Sequence, residues 1–220
     1  MSESSDKSVT GIPSFWLTVL QNANSSLLSG SLQAIDEPVM KHLKDITCTL
    51  AEDNSSFTLN FCFDTNEFFT NSVLTKVYSM KNDLDKEDPL DYDGPEIEKC
   101  EGCKIDWKTG KNTTVKVIRQ KVKQKGKGKG GQKVVTKTEK RESFFNFFKP
   151  PKFPEDPKED VDDETQVIIS EDFDIGYSIK EKIIPKAVLY FTGDGLEDDE
   201  DDDSEFDSDE DIDDDIDEDA

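Results

Sequence analysis

Apolar residues fall along this chain in two rhythms, and the change of rhythm marks its elements. From Ile12 the segment IPSFWLTVL places Phe15, Trp16, Val19 and Leu20 at helical spacing, with Pro13 suited to a first turn, which predicts an opening helix. A second helix is predicted from Asp36, an N-cap residue type, with Pro38 early in the first turn and Val39, Met40 and Leu43 following. The period then drops to two. Ile46, Cys48 and Leu50 alternate with polar neighbours, and Phe57, Leu59, Phe61 and Phe63 alternate with Thr58, Asn60, Cys62 and Asp64, the pattern of a hairpin with one apolar face. A third strand is predicted over 72–80 and a fourth over 113–123.

Between the third and fourth strands, KNDLDKEDPLDYDGPE has no periodicity and reads as a polar loop. The fourth strand leads into a Lys-rich finger that turns at GKGKGGQ and returns through Val134 and Thr136, which predicts a long exposed hairpin. After the aromatic run SFFNFFKPP comes a Pro- and acid-rich connector over roughly 150–164. Ile175, Ile179 and Ile183 then recur at i, i+4, i+8, predicting an amphipathic helix broken by Pro185, with the short apolar segment AVLYF behind it and Gly193 and Gly195 ending the ordered part. The elements sum to an α+β domain: a four-stranded antiparallel sheet with helices packed on one face, a protruding basic β-hairpin and a disordered acidic C-terminal tail. The expected boundaries are a disordered 1–10, a domain over 11–196 with the hairpin inserted at 113–138, and the tail at 197–220.

Charge sharpens this division. The 220 residues carry a formal −24, and residues 197–220 hold 18 Asp and Glu with no Lys or Arg. Residues 116–141 hold 11 Lys and Arg against the single acid Glu139, so the rest of the chain sums to −16. A surface this negative repels phosphates and favours a cationic partner, by an attraction that salt screens beyond roughly 8–10 Å. Direct sequence-specific nucleic-acid binding is therefore not expected, and with no run of about 18 apolar residues neither is a membrane partner. MSESSDKSV lacks a basic-then-apolar signal pattern, so the reading is an intracellular soluble protein with four free thiols.

Candidate catalytic chemistry does not assemble. His42 is the sole histidine, which excludes a Ser-His-Asp or multi-histidine site, and GKGKGG lacks the spacing of a phosphate-binding loop. Among 51 carboxylates, proximity of two carries no information about acid and base catalysis. Cys100 and Cys103 form CxxC, but no second CxxC pair exists to complete a zinc site, so a structural role is expected. The reading is a non-enzyme with no cofactor and no metal. Phe144, Phe145, Phe147 and Phe148 are assigned to packing rather than to an exposed docking patch.

Six segments, GIPSFWLTVL, DEPVMKHLKDI, FFTNSVLTKVY, GPEIEKCEGCKIDWKTGKN, SFFNFFKPP and IIPKAVLYFTG followed by an acidic run, resemble in order and spacing the nucleosome assembly protein family over roughly residues 11–200. The resemblance implies a four-stranded antiparallel sheet with underlying helices. It also implies a histone chaperone that binds core histones and linker histone, prevents non-specific histone–DNA association and promotes nucleosome assembly and disassembly without ATP. Shuttling between nucleus and cytoplasm is implied as well. Family members carry a long dimerisation helix, with an export signal near it, before the GIPSFWL block; only ten residues precede Gly11 here, so a homodimer through that helix is not expected. The alternatives are an acidic relative acting as a phosphatase inhibitor or histone-masking factor, and an RNA or ribosome-biogenesis scaffold using the basic hairpin.

Candidate histone-binding residues are the acids flanking the sheet and opening the tail: Asp64, Glu67, Asp172, Asp174, Glu181, Asp194, Glu197, Asp198, Asp199, Glu200, Asp201, Asp202 and Asp203. Phe206, alone among acids in DDDSEFDSDED, joins them as an aromatic anchor for a histone pocket. Lys121, Lys123, Lys125, Lys127, Lys129 and Lys133 are candidates for a nuclear import signal read by a carrier. Ser204 and Ser208, each with an acid three residues on, suit acidophilic kinases.

Overall fold

In the computed structural model, residues 11–24, 26–28, 30–81, 96–123, 132–151 and 162–194 are described. Helix α1, Phe15–Asn22, buries Trp16, Leu17, Val19 and Leu20. Ser14, at φ 57°, occupies its N-cap position, so Pro13 directs the chain into the helix without belonging to its first turn. Helix α2, Glu37–Met40, is a single turn. Asp36 precedes it but gives it no side-chain cap; its buried carboxylate instead accepts from Ser143 Oγ at 2.6 Å and from Phe144 N at 2.7 Å. That carboxylate ties the start of the domain to the aromatic segment more than a hundred residues later.

Leu43 already belongs to strand β1, Leu43–Leu50, which pairs antiparallel with β2, Ser56–Phe63, which in turn pairs with β3, Val73–Lys81. The fourth strand of the sheet is β4, Glu96–Gly102, in the order β1-β2-β3-β4. This corrects the sequence expectation, which gave the fourth strand to 113–123. Charged residues interrupt any alternation in EIEKCEG, and among its described side chains Cys100 alone is buried. Thr113 and Thr114 lead instead into β5, Val115–Lys123, which pairs with β6, Gln132–Lys140, as a separate two-stranded sheet. The α+β class, the four-stranded antiparallel sheet and the separate hairpin all agree with the sequence reading.

Alternation does the sorting within the sheet. Phe57, Leu59, Phe61 and Phe63 of β2 and Leu74, Lys76 and Tyr78 of β3 are buried on one face, while Thr47, Thr49, Thr58, Asn60 and Thr75 line the opposite, wetter face. An irregularity between Leu43 and Asp45 allows Leu43 and Ile46, three residues apart, both to reach the core. The inner face is covered by the 3₁₀ turn Phe144–Phe148, whose four phenylalanines are buried. Phe61 meets the rings of Phe144, Phe147 and Phe148 edge-on, with centroids 5.1–6.2 Å apart, and Trp107 and Phe69 pack edge-on against Phe145. Such pairs add about 0.5–1.5 kcal/mol each beyond the area they bury.

Helix α3, Asp163–Ser178, opens on Asp162, whose carboxylate accepts from Thr165 N at 2.9 Å, an N-cap contact. It continues into the π turn Ile179–Ile183, closed by Ile184 N donating to the Ile179 carbonyl at 3.0 Å. Ile175, Ile179 and Ile183 are buried, as their spacing predicted. Pro185 follows, and α4, Ala187–Thr192, ends at Gly193 with φ 92°. Helix α4 lies against α1, with the Phe15 and Phe191 rings stacked at 4.9 Å and Asn22 Nδ2 donating to the Tyr190 carbonyl at 2.6 Å.

Two glycines set how closely the layers approach. A Cβ on Gly176 would run into the Tyr78 ring, and one on Gly102 would run into the backbone of Phe148. The α3–sheet contact is sealed by charge as well. Lys76 is fully buried; its ammonium ion-pairs with Asp172 of α3, donates to the Phe147 carbonyl and sits 4.2 Å over the Phe147 ring. Tyr78 Oη donates to Asp172 at 3.1 Å.

Candidate functional site

The described residues hold 21 carboxylates against 20 Lys and Arg, so the folded part of the chain is close to neutral. Most of the −24 therefore lies elsewhere, chiefly in 195–220, and smaller acidic excesses fall in 82–95 and 152–161. The acidic candidates must be weighed against this background, because a carboxylate already paired has less to offer a cationic partner.

Asp64 and Glu67 sit on the loop between β2 and β3. Asn66, buried at its centre, shapes it by accepting from Phe68 N at 2.9 Å and Phe69 N at 3.0 Å while Nδ2 donates to the Asp64 carbonyl. The turn leaves both acids exposed. Asp64 lies 3.4 Å from Lys44. Glu67 is bonded to Lys111, and that hydrogen bond, with the charge behind it, holds its carboxyl below the usual range.

Helix α3 gives a different arrangement. Between Asp162 and Ile179 there are six acids and no base. Glu171 and Asp174 are exposed and share an outward stripe with Val167, at i, i+4 and i+7. Val167 is 57% exposed, and Ile168 beside it and Tyr177 farther along the helix are exposed as well. Neither Glu171 nor Asp174 has an ion-pair partner within the chain among the described residues. Acids interleaved with exposed apolar side chains suit a partner that presents both cations and apolar surface. Glu171, Val167, Ile168 and Tyr177 were not singled out from sequence; helical periodicity beyond the buried isoleucines was the signal.

The remaining candidates are scattered. Asp172 is 8% exposed and engaged with Lys76 and Tyr78, so it is a core residue and not part of the surface the sequence suggested. Glu181 is paired with Lys180, which also lies 5.3 Å over the Phe57 ring. Asp194 accepts from Thr192 Oγ1 at 2.8 Å just beyond α4. Glu197 to Asp203, Ser204, Phe206 and Ser208 lie outside the described residues, as do Lys125, Lys127 and Lys129 of the import candidates. Lys121, Lys123 and Lys133 are on the hairpin strands.

No group of metal-ligating side chains occurs among the described residues. Cys100 is buried, and its thiol is pushed up to about 12, first by burial and then by the Asp172 charge. Cys103 Sγ accepts from Thr75 N at 3.2 Å. The CxxC pair therefore braces β4 against β3. An α+β domain with an acidic helix face, a basic hairpin and acidic flanking segments is a framework for holding a charged partner.

Comparison with known proteins agrees with the segment-by-segment resemblance. Residues 1–194 match the family profile described as Nucleosome assembly protein (NAP). The chain is 53% identical over 193 residues to Nucleosome assembly protein 1-like 1-A of Xenopus laevis and 52% identical to Nucleosome assembly protein 1-like 1 of Homo sapiens. Each alignment covers 87% of this chain and 48% of the relative, so the chain spans about half the length of the curated relatives it matches. Among solved structures, Nucleosome Assembly Protein 1 from Plasmodium knowlesi superposes with a TM-score of 0.60 at 34% identity, covering 83% of this chain and 68% of that one. A malaria-parasite Nucleosome Assembly Protein gives 0.54 at 31% identity, with 83% and 67% covered. The chain belongs to the nucleosome assembly protein family.

Proposed function

We propose that this protein is a histone chaperone: a non-enzymatic binder that holds core histones through carboxylates, keeps them from condensing on DNA and passes them to nucleosomes without ATP. Family membership supports the class, and the observation that carries the mechanism is the placement of charge. A near-neutral fold bears an unpaired acidic stripe on α3, at Glu171 and Asp174, and is followed by 18 carboxylates over 197–220. Histone Lys and Arg meet there the density of negative charge that DNA phosphates offer, and release follows when DNA presents the better-matched polyanion. Linker histone, rich in the same cations, fits the same surfaces.

The Lys-rich hairpin is assigned to an import carrier, and the protein to shuttling between cytoplasm and nucleus. Phe206 is assigned as an aromatic anchor within the acidic run, and Ser204 and Ser208 as phosphorylation sites that deepen its charge. Phe206→Ala is expected to weaken histone binding at unchanged salt slope.

The deciding experiment titrates the full chain with a refolded core-histone dimer at physiological salt, with and without competing DNA. It is repeated with Glu171→Gln/Asp174→Asn and with Asp198, Asp199, Asp201, Asp202 and Asp203 changed to Asn. Tight binding that resists DNA, weakened at least tenfold by the second variant, supports the reading. Equal binding by all variants would overturn it.

A further inference from the structure

The hairpin poses a question that the chaperone reading does not absorb. Its two strands carry seven Lys and Arg against the single acid Glu139. The register is continuous from Val115 opposite Lys140 to Lys123 opposite Gln132, and no third strand joins it among the described residues. At its root the sheet is open to solvent: Lys116, Lys137 and Lys140 are exposed, and Val117 is 56% exposed. An isolated two-stranded ribbon is marginally stable by itself, and one with so many like charges repels itself as well.

The described fold offers it only diffuse counter-charge. Within the hairpin, Glu139 pairs with Lys137. Outside the two strands the described residues hold 20 acids against 13 Lys and Arg, an excess of seven distributed among helices, loops and sheet. The same chain, however, continues past Asp194 for 26 residues that carry 18 acids and no base. At about 3.3 Å per residue, that length reaches roughly 85 Å at full extension, well beyond the dimensions of a domain of this size. Two oppositely charged segments tethered in one chain meet at an effective concentration of the order of millimolar. A free polyanion at micromolar concentration competes poorly with that.

We propose that strands β5 and β6 are the docking surface for this chain's own acidic C-terminal segment, 195–220, so that each masks the other until a cationic partner takes the acids or a carrier takes the hairpin. The contact is electrostatic, because the segment carries 18 acids in 26 residues and the ribbon seven Lys and Arg. Any polycation that occupies the acidic segment then frees the hairpin, which couples loading of the acidic segment to exposure of the basic one. The pairing itself needs no histone and is measured without one, so it stands or falls apart from the chaperone reading.

The test is zero-length carbodiimide cross-linking of the full chain at 50 and 500 mM salt, using an equimolar mixture of ¹⁵N-labelled and unlabelled protein, read by peptide mass mapping. The expected result is amide links from acids in 195–220 to Lys116, Lys121, Lys123, Lys133, Lys137 and Lys140, within single chains and lost at the higher salt. Links spread equally over Lys41, Lys44, Lys104 and Lys149 would overturn the proposal, as would mixed-isotope links between copies or hairpin links confined to the acids of 82–95. In a second measurement, a fluorescent DNA duplex serves as a polyanion probe. Asp198, Asp199, Asp201, Asp202 and Asp203→Asn in the full chain should tighten its binding about tenfold, and neutralising the hairpin root as well with Lys116→Gln, Lys137→Gln and Lys140→Gln should remove most of that gain. Unchanged probe affinity in the first variant would equally overturn it.

Discussion

Lys76 is the residue whose placement is hardest to reconcile with composition alone. It occupies an inward position of β3, between Leu74 and Tyr78, and burial pushes its ammonium down against the pull of the Asp172 charge. Removing one partner leaves the other charge buried and unpaired, at about 3–5 kcal/mol. Asp172→Ala is therefore expected to lower unfolding free energy by about that amount, and Lys76→Met/Asp172→Leu together by much less, in urea titrations. Equal losses in the single and double variants would contradict the pairing.

Cys100, beside this pair, supplies a pH signature. Its native thiol holds a proton from pH 9.0 up to about 12 that the unfolded chain has released, so stability present below pH 9 falls as pH rises through that window, by about 1.4 kcal/mol per unit. Lys76, being depressed, works with the opposite sign as pH approaches 10.5. Cys100→Ala should flatten the alkaline loss of stability. At pH 8 the Cys100 thiol is expected to alkylate roughly a thousandfold more slowly than an exposed cysteine, read by peptide mass mapping. None of this was legible beforehand: an alternating run that reads Leu, Lys, Tyr on one face looks like a strand with one stray charge, and its partner lies nearly a hundred residues away.

At the level of elements, periodicity carried the reading where side chains sort cleanly between core and water. It found α1, β1, β2, β3 and the isoleucine spine of α3. It missed β4, whose EIEKCEG segment lies at the sheet edge and earns its place through backbone pairing with β3 more than through burial. Close approach at Gly176 was also hidden, since only the fold brings Tyr78 to it. Gly176→Ala should destabilise by about 1–3 kcal/mol by pushing α3 off the sheet, a loss readable as a lowered thermal midpoint. The hairpin makes a contrasting forecast. Amide exchange should be fast along β5 and β6 beyond the root held by Arg141 N and the Thr114 carbonyl, and slow in β2, which is paired on both sides. Equal protection in the two sheets would contradict the hairpin's independence.

For the whole molecule, composition told the sign of the charge and part of its placement. Of the −16 outside tail and finger, the described residues carry −8, with 20 acids against 12 Lys and Arg, and the other half lies in 1–10, 82–95 and 152–161. Which acids stay unpaired depends on helix faces and loop turns that a count cannot see; Asp172 went inward while Glu171, beside it, stayed out. With the hairpin's bases included, the described residues hold 21 acids against 20 Lys and Arg, and a fold so balanced should respond little to salt. Raising salt from 50 to 500 mM is expected to move the thermal midpoint by only a few degrees while weakening binding of a basic peptide manyfold. A parallel collapse of both would show that the salt-sensitive charge is borne by the folded body.

The Lys76–Asp172 contact has a further bearing on how the chain avoids error. A greasy helix laid on a greasy sheet is tolerant of sliding: moved by one turn, α3 would still offer apolar side chains to the sheet. With an ammonium planted in the sheet, each wrong seating strands a charge in oil, and only the native one answers it. The pair then acts as a key cut for a single lock, sacrificing strength for a unique fit. In Lys76→Met/Asp172→Leu the domain should keep its melting cooperativity yet show several sets of α3 resonances where the natural chain shows one.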